Sequence, residues 1–591
     1  MTRQAQHRRL DAPTLVWLAL LACAIGIYAF GLGGQYNPSI GDELVYTHIA
    51  RLTAASNHWL PLVSELDHMR NTKPPLLFWQ AMVAGDWGRH WSMTALRTPS
   101  LVYTLLVAAA LAWTMHQITR NLRTACLTAC IYLAFFCTFR LGRTFLTSAP
   151  ETFWLSLPMF WLLRQHLRQP VTATTQQLGW LTHAGFGLAL GLGLAYKSFA
   201  LIAPAAATLW CAQLLSAPPP NWRAAVQITL KVGLSAALAL GIFALWFVLD
   251  PDPGAVWQEF VVGENAGKMS SGLGYWQVAL RGGGASMWVQ LLAYVQNAGL
   301  LAPVVPGLAW IGLRTWLKSG ARLSPPLLIM LVWLGVWLIV FTLPSQRSAR
   351  YVVPAMPALA MLLALYWERI ARGWFLISLL LCAIFIGVLG RVSWAAHAIG
   401  IGSGIELGAT LFAALAGFLL VIGGFARPAW TRTCTVAACL AVYACFNLAT
   451  APLNGSAGQY EAGVAAQLHE ARIAVPSNFN GQFERFQFLL PGNRFLPYDA
   501  EDPTASGTPA GELKRLLAAH DAVVWLQSDP AELHPPCAPA CTVLGSRWEV
   551  KGRHRSGEIN PANLWQPQTW LFRREWLVTN GWPSAGAAPR Q

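Results

Sequence analysis

The chain has 591 residues, of which 55% are hydrophobic and 11% charged, with 29 Trp and a net charge of +15. Water-soluble domains carry about 25% charged residues, so this composition excludes an ordinary soluble protein. Apolar runs of bilayer-spanning length, about 20 residues, recur along most of the chain; basic cytoplasmic loops account for the positive balance without nucleic acid.

The first run, "APTLVWLALLACAIGIYAFG", follows a basic "RQAQHRR". It exceeds a signal-peptide core of roughly 7–15 residues, no clear cleavage site follows it, and it reads as a retained helix. The apolar pattern predicts about thirteen spans. They centre near Leu20, Leu106, Tyr132, Leu157, Leu188, Leu201, Leu238, Leu300, Gly335, Leu359, Leu380, Ala413 and Cys439. The fifth and sixth are almost fused around "AYKSF". With the N-terminus in the cytoplasm, alternate loops carry Arg120 and Arg123, Arg164 and Arg168, Arg223, Arg314 with Lys318 and Arg322, Arg369 and Arg372, and Arg427 and Arg432. This satisfies the positive-inside rule and places the C-terminus outside.

The expected fold is an all-α polytopic membrane domain over residues 1–450, with outer loops at 33–97 and 250–285. An outer domain follows at 451–591, more polar and with mixed helix and strand signals. There "ELKRLLAAHDAVVWLQ" predicts a helix running into a buried strand, and "TVLGSRWEV" and "TWLFRREWLV" predict further strands, together a small α/β domain. Cys537 and Cys541 lie outside the apolar runs that hold the other Cys; an oxidising exterior allows a disulfide, and two free thiols remain the alternative.

The stretch "SIGDELVYTHIARL" puts Asp42 and Glu43 side by side just after the first span. Acids at a helix start cap free N–H groups and favour the dipole. A cap accounts well for one of them and less well for a pair followed by the Lys-Pro-Pro turn of "NTKPPLLFW", where Lys73 stands. The functional alternative is a general base or substrate holder at the membrane face. Other cations also sit where the positive-inside bias disfavours them: Arg140 and Arg143, Lys197, Lys268, and Arg347 and Arg350. Snorkelling to headgroups is the plain account of any one of them. A shared phosphate ligand accounts for several together. Glu264 and Asn265, in "FVVGENAGKM", are candidates to orient a sugar or to pair with Lys268; Glu151 is expected to cap a span.

The acidic pair, "KPPLLFW", "FVVGENAGK" and "RYVVPAMPALAMLLA" together resemble the GT-C glycosyltransferases, over roughly residues 10–450. The nearest group is that of the bacterial lipid A aminoarabinose transferase, related to the protein O-mannosyltransferases. The resemblance implies two juxtamembrane helices in the first outer loop, a polyprenyl-phosphate-linked sugar donor used on the periplasmic side, and a terminal α/β domain. It assigns the catalytic acid to Asp42, beside Glu43, and the donor-phosphate contact to Lys73. It places a basic residue at Arg347, before the Y-x-x-P element that Tyr351 opens; Tyr351 joins Glu264 and Asn265 as a positioning candidate. Arg350, Arg143 and Lys197 stand behind Lys73 as further phosphate ligands. The sequence departs from the family at Val45, where an Arg is usual, at Ala149, where an Asp is usual, and at Gly263, where a His is usual. Glu151 is a candidate substitute for the missing Asp.

The expected activity is transfer of a sugar from a polyprenyl phosphate to lipid A, another glycolipid, a glycan or a protein. Membrane lipids are the surroundings, and no nucleic acid is involved. No Walker-type sequence is present, no cofactor is certain, and the adjacent acids leave a divalent cation open. A transporter or flippase for a lipid-linked sugar would also want outer cations, but would show repeated halves and mid-span charges. A non-catalytic assembly subunit is the third reading.

Overall fold

The computed structural model describes residues 11–36, 41–168, 178–216, 222–266, 274–281, 283–319, 323–477, 481–500, 508–527, 532–552, 554 and 556–580. Lys268 lies outside them. Helices stand at all thirteen expected places. Among the described residues nine are long and apolar enough to cross a membrane, or ten if one bent pair is a single span. The count by length and composition is thus lower than expected, for physical reasons. Leu122–Ala134 and Trp180–Leu194 are 13 and 15 residues long, roughly 20 Å each at 1.5 Å per residue and short of a bilayer core. The eighth segment breaks at its expected centre: Ala293–Leu301 meets Val304–Thr315 at 117°. Just before that break stands Gly299, with φ of +62° and a Cβ position only 2.3 Å from Phe136 Cβ, where no side chain fits.

The nearly fused fifth and sixth segments separate. Trp180–Leu194 ends, Ala195 and Tyr196 form a turn, and the Ser198 hydroxyl accepts from Ala200 N–H at the start of the next helix. Leu201 therefore opens that helix instead of centring it. At the centre of the bundle lie Ala349–Tyr366, 72% buried, and Thr431–Asn454, 67% buried. Most other spans, such as Pro325–Thr342 at 22%, leave an apolar face outward for lipid.

The first helix is α1 (Ala12–Ala29), and the loop after it contains α2 (Asp42–Ala55) and α3 (Leu76–Ala84) before the long α4 (Met93–Thr119). Pro75 is the N-cap of α3, where a missing N–H costs nothing.

Five strands build the C-terminal domain: β1 (Arg472–Pro476), β2 (Arg494–Tyr498), β3 (Ala522–Gln527), β4 (Thr542–Val550) and β5 (Phe572–Thr579). Their order is β2-β1-β3-β5-β4. β1 runs parallel to β2 and β3, and β5 antiparallel to β3 and β4. Helix Pro509–Ala519 buries Leu513, Leu516 and Leu517 and leads into β3, as its apolar spacing predicts. Cys537 and Cys541 are disulfide-bonded, which resolves the two alternatives.

Beside this sheet lies a buried ionic cluster. Glu575 receives Arg547 Nε at 2.5 Å and Arg485 Nη2 at 3.1 Å, and Tyr460 donates to it at 2.8 Å. Glu549 pairs with Arg485 and, at 3.0 Å, with Arg573. Burial alone would raise the Glu549 carboxyl, but the guanidiniums of Arg485, Arg573 and Arg547 outweigh it and bring it down to about 2. A carboxylate depressed in the fold stabilises it fully above its unfolded pKa, about 4.3. That contribution is lost as pH falls toward the folded value. The melting temperature of the C-terminal domain in the full-length protein, followed by Trp fluorescence, should therefore drop between about pH 4.5 and pH 2. Glu549→Gln should lower it at pH 7 and flatten this acid limb.

Candidate active site

Adjacent residues on an α-helix point about 100° apart, and this divides the acidic pair at the start of α2. Asp42 lines a cavity of about 430 Å³ at the end of the bundle that carries the C-terminal domain. Glu43 is 1% exposed and turns into the core. Its carboxylate holds Arg97 of α4 in a two-pronged pair at 2.7 and 2.8 Å and accepts Phe145 N–H at 2.7 Å. Glu43 is therefore a structural strut and does not join Asp42 in the cavity.

Three cations line the cavity, each with a resident carboxylate. Arg350 Nη1 lies 3.1 Å from Asp42 Oδ2, and Arg350 Nε donates to Ser148 Oγ at 3.3 Å. Lys73 Nζ lies 2.6 Å from Glu264 Oε1 and donates to Thr72 O at 2.7 Å. Lys197 Nζ lies 2.9 Å from Glu151 Oε1. Burial lowers the Lys197 ammonium from its ordinary range, and Glu151 opposes that shift. Aromatic faces support two of these cations: Tyr46 lies 5.8 Å from Lys73 Nζ and Tyr351 lies 5.6 Å from Lys197 Nζ.

Glu264, Asn265 and Tyr351 all line the cavity. Glu264 takes Lys73 as a partner, and the Lys268 pairing considered from sequence lies outside the described residues. Asn265 accepts from Ser198 Oγ at 2.8 Å and donates to Phe260 O at 2.7 Å, tying the two loops together.

Two expected phosphate ligands are not in the cavity lining. Arg347 is 5% exposed, and its guanidinium donates to Thr342 O, Ala285 O and the Tyr275 hydroxyl. It braces a loop. Arg143 is fully buried and binds Asn447 Oδ1 at 2.9 Å and Phe30 O at 2.6 Å. It joins helices. Spacing alone did not separate these from Arg350, which is three residues beyond Arg347, inside the short helix Ala349–Ala355, and lines the cavity. Glu151 also departs from expectation: it caps no span start but pairs with Lys197 from a fully buried position.

Among the polar lining residues, Tyr46, Thr147, Ser198, Gln346 and Ser348 were not read from the sequence. Tyr46 had a signal, since it follows Asp42 by four residues on the same helical face. Thr147 and Ser198 had none. Asp42 and Glu43 bind different arginines, and among the described residues no three His, Cys, Asp or Glu side chains stand close enough to hold a metal ion.

Two acids, Asp42 and Glu264, and three cations thus line one cavity of a multi-pass helical membrane protein. Residues 42–251 match the family model described as Dolichyl-phosphate-mannose-protein mannosyltransferase. The Undecaprenyl phosphate-alpha-4-amino-4-deoxy-L-arabinose arabinosyl transferase 1 of Sodalis glossinidius is 25% identical over 542 residues, covering 87% of this chain and 90% of that protein. The corresponding transferase 2 of Proteus mirabilis is 26% identical over 377 residues, covering 60% of each. The crystal structure of ArnT from Cupriavidus metallidurans bound to undecaprenyl phosphate superposes with a TM-score of 0.59 at 16% identity, covering 97% of this chain and 99% of that one. The chain shares the fold of that ArnT structure and is similar to the aminoarabinose transferases and, over residues 42–251, to the protein O-mannosyltransferases. The transporter reading finds no support among these relatives.

Proposed function

We propose that the protein transfers a sugar, most simply an amino-pentose, from a polyprenyl phosphate to an acceptor oxygen at the periplasmic face of the bacterial inner membrane. One observation carries this reading: Asp42, Lys73, Lys197 and Arg350 line a single cavity. The basic loops of the sequence support the orientation. The names of the relatives support an undecaprenyl-linked aminoarabinose donor, and the resemblance supports a lipid A acceptor.

The donor phosphate enters among Lys73, Lys197 and Arg350. Each cation keeps N–H donors beyond those its carboxylate occupies. The acceptor oxygen attacks the anomeric carbon opposite the phosphate and inverts it. The new carbon–oxygen bond forms as the carbon–phosphate-oxygen bond breaks, and the electron pair leaves on the phosphate. Cations held in place before the reaction stabilise that charge without reorganising. With a hydroxyl acceptor the proton passes to Asp42. With a phosphate acceptor no proton moves, and Asp42 positions Arg350 through their 3.1 Å pair.

The test is transfer in proteoliposomes holding undecaprenyl-phosphate aminoarabinose and lipid A, read by mass spectrometry of the lipid A, with lipid A and surface glycans of a deletion strain measured in parallel. A pentosamine adduct that requires the protein is the expected result. Unchanged masses in both arms would refute the reading.

A further inference from the structure

The helix that carries Asp42 is clamped by the C-terminal domain. Glu484 of that domain is fully buried and spends both carboxylate oxygens on α2. Arg51 Nε reaches Oε1 at 2.5 Å, Arg51 Nη2 reaches Oε2 at 3.0 Å, and His48 Nδ1 lies 2.9 Å from Oε2. His48 Nε2 lies 3.2 Å from Glu65 N and accepts that N–H, so Nδ1 carries the imidazole proton and donates to Glu484. A hydrogen bond to a buried charged group is among the stronger kinds.

Packing reinforces the charge contacts. Gly481, with φ of +81°, brings its backbone against α2: a Cβ there would meet Val45 Cγ2 at 2.9 Å and Val45 Cα at 3.1 Å. Phe483 packs edge-on against the His48 ring at 5.2 Å between centroids. Val45, His48 and Arg51 thus follow at every third residue on the side of α2 turned to the domain. A second grip holds the chain before α2: Arg547 Nη1 reaches Gln35 Oε1 at 3.4 Å, and Val550 N–H donates to the Tyr36 hydroxyl at 3.3 Å. Asp42 itself receives no such support from its own helix start, because Gly41 offers no side-chain cap.

We propose that Glu484 is a positioning residue for sugar transfer: through it the C-terminal domain sets the placement of α2 and hence of the Asp42 carboxylate. This rests on the reading that Asp42 acts in transfer. It makes the domain part of the catalytic apparatus although, among the described residues, the domain contributes no side chain to the cavity lining.

The experiment uses the full-length protein in detergent or proteoliposomes. Glu484→Ala should lower kcat by about 10–100-fold, the scale of a misplacement near 1 Å. The donor KM and the affinity for undecaprenyl phosphate should stay within about threefold, because the three cations are untouched. Glu484→Gln, which keeps an acceptor for His48, should restore part of the rate. Amide exchange across residues 42–55 should quicken while that of α4 does not. Arg51→Ala, at the partly exposed rim of the clamp, perturbs folding least and should give a smaller fall in the same direction. Wild-type kcat in both Glu484→Ala and Arg51→Ala would overturn the proposal. Loss of undecaprenyl phosphate binding in parallel with kcat would also overturn it, since Glu484 would then serve general integrity. A wild-type protein that transfers no sugar sinks the functional reading instead, and unchanged exchange in α2 would then independently sink the clamp.

Discussion

Lys73→Ala is expected to reduce kcat/KM by about 10²–10³, the range seen when one preorganised donor to a developing anion is removed. Two effects combine. The leaving phosphate loses a cation that stands in the cavity wall, and Glu264, 2.6 Å from that ammonium, loses this partner while still facing an anionic ligand. The second effect has its own signature. Adding Glu264→Gln to Lys73→Ala should recover part of the loss, so the double-mutant cycle should show a coupling of about 1–3 kcal/mol. Asp42→Asn separates base from brace. With a hydroxyl acceptor, loss of a general base costs about 10²–10⁴ in kcat with little change in donor KM. With a phosphate acceptor, the amide still meets Arg350 and the fall should be about tenfold or less. Comparing hydroxyl-bearing and phosphate-bearing acceptors in steady-state kinetics reads out which applies. Near wild-type rates for both Lys73→Ala and Asp42→Asn, at normal expression, would remove the site assignment altogether.

The legible part of this site was its inventory by residue type, and the illegible part was direction. Apolar run length put the helices in place, because a bilayer imposes that constraint on local sequence. The α/β character of the terminal domain was likewise local: "ELKRLLAAHDAVVWLQ" has helix spacing followed by a continuous apolar strand, and it folds as Pro509–Ala519 and β3. Lys73, between a polar loop and two prolines, was constrained by its neighbours and lies in the cavity lining.

Arg143, Arg347 and Arg350 looked alike because each is a guanidinium in a loop, and which one meets solvent or substrate depends on contacts far away in sequence. Arg143 is decided by Asn447, 304 residues on. Arg350 is decided by Asp42, 308 residues back. Glu151 shows the same limit in reverse. Its position one residue after Pro150 argued for a cap, yet Lys197, 46 residues later, claims its carboxylate. That contact gives the cavity a third acid–cation pair where the family's usual Asp is replaced by Ala149.

Glu43→Gln should give the opposite phenotype to its neighbour: normal chemistry in whatever protein survives, and far less protein. The Arg97 guanidinium is 1% exposed and has Glu43 as its charged partner, with Leu32 O and Gly34 O taking its remaining contacts. Removing one member of a buried pair strands the other charge and costs about 3–5 kcal/mol, a large share of the 5–15 kcal/mol that holds a typical domain folded. Detergent-solubilised Glu43→Gln should therefore melt many degrees lower, and membrane yields should fall several-fold. Replacing both partners, as in Glu43→Leu with Arg97→Met, should cost less than Glu43→Gln alone, since no charge is left behind. Specific activity per folded molecule decides between strut and catalyst. If Glu43→Gln purifies at wild-type yield and stability but transfers no sugar, then Glu43 shares the chemistry with Asp42, and the division of labour between the two adjacent acids is wrong.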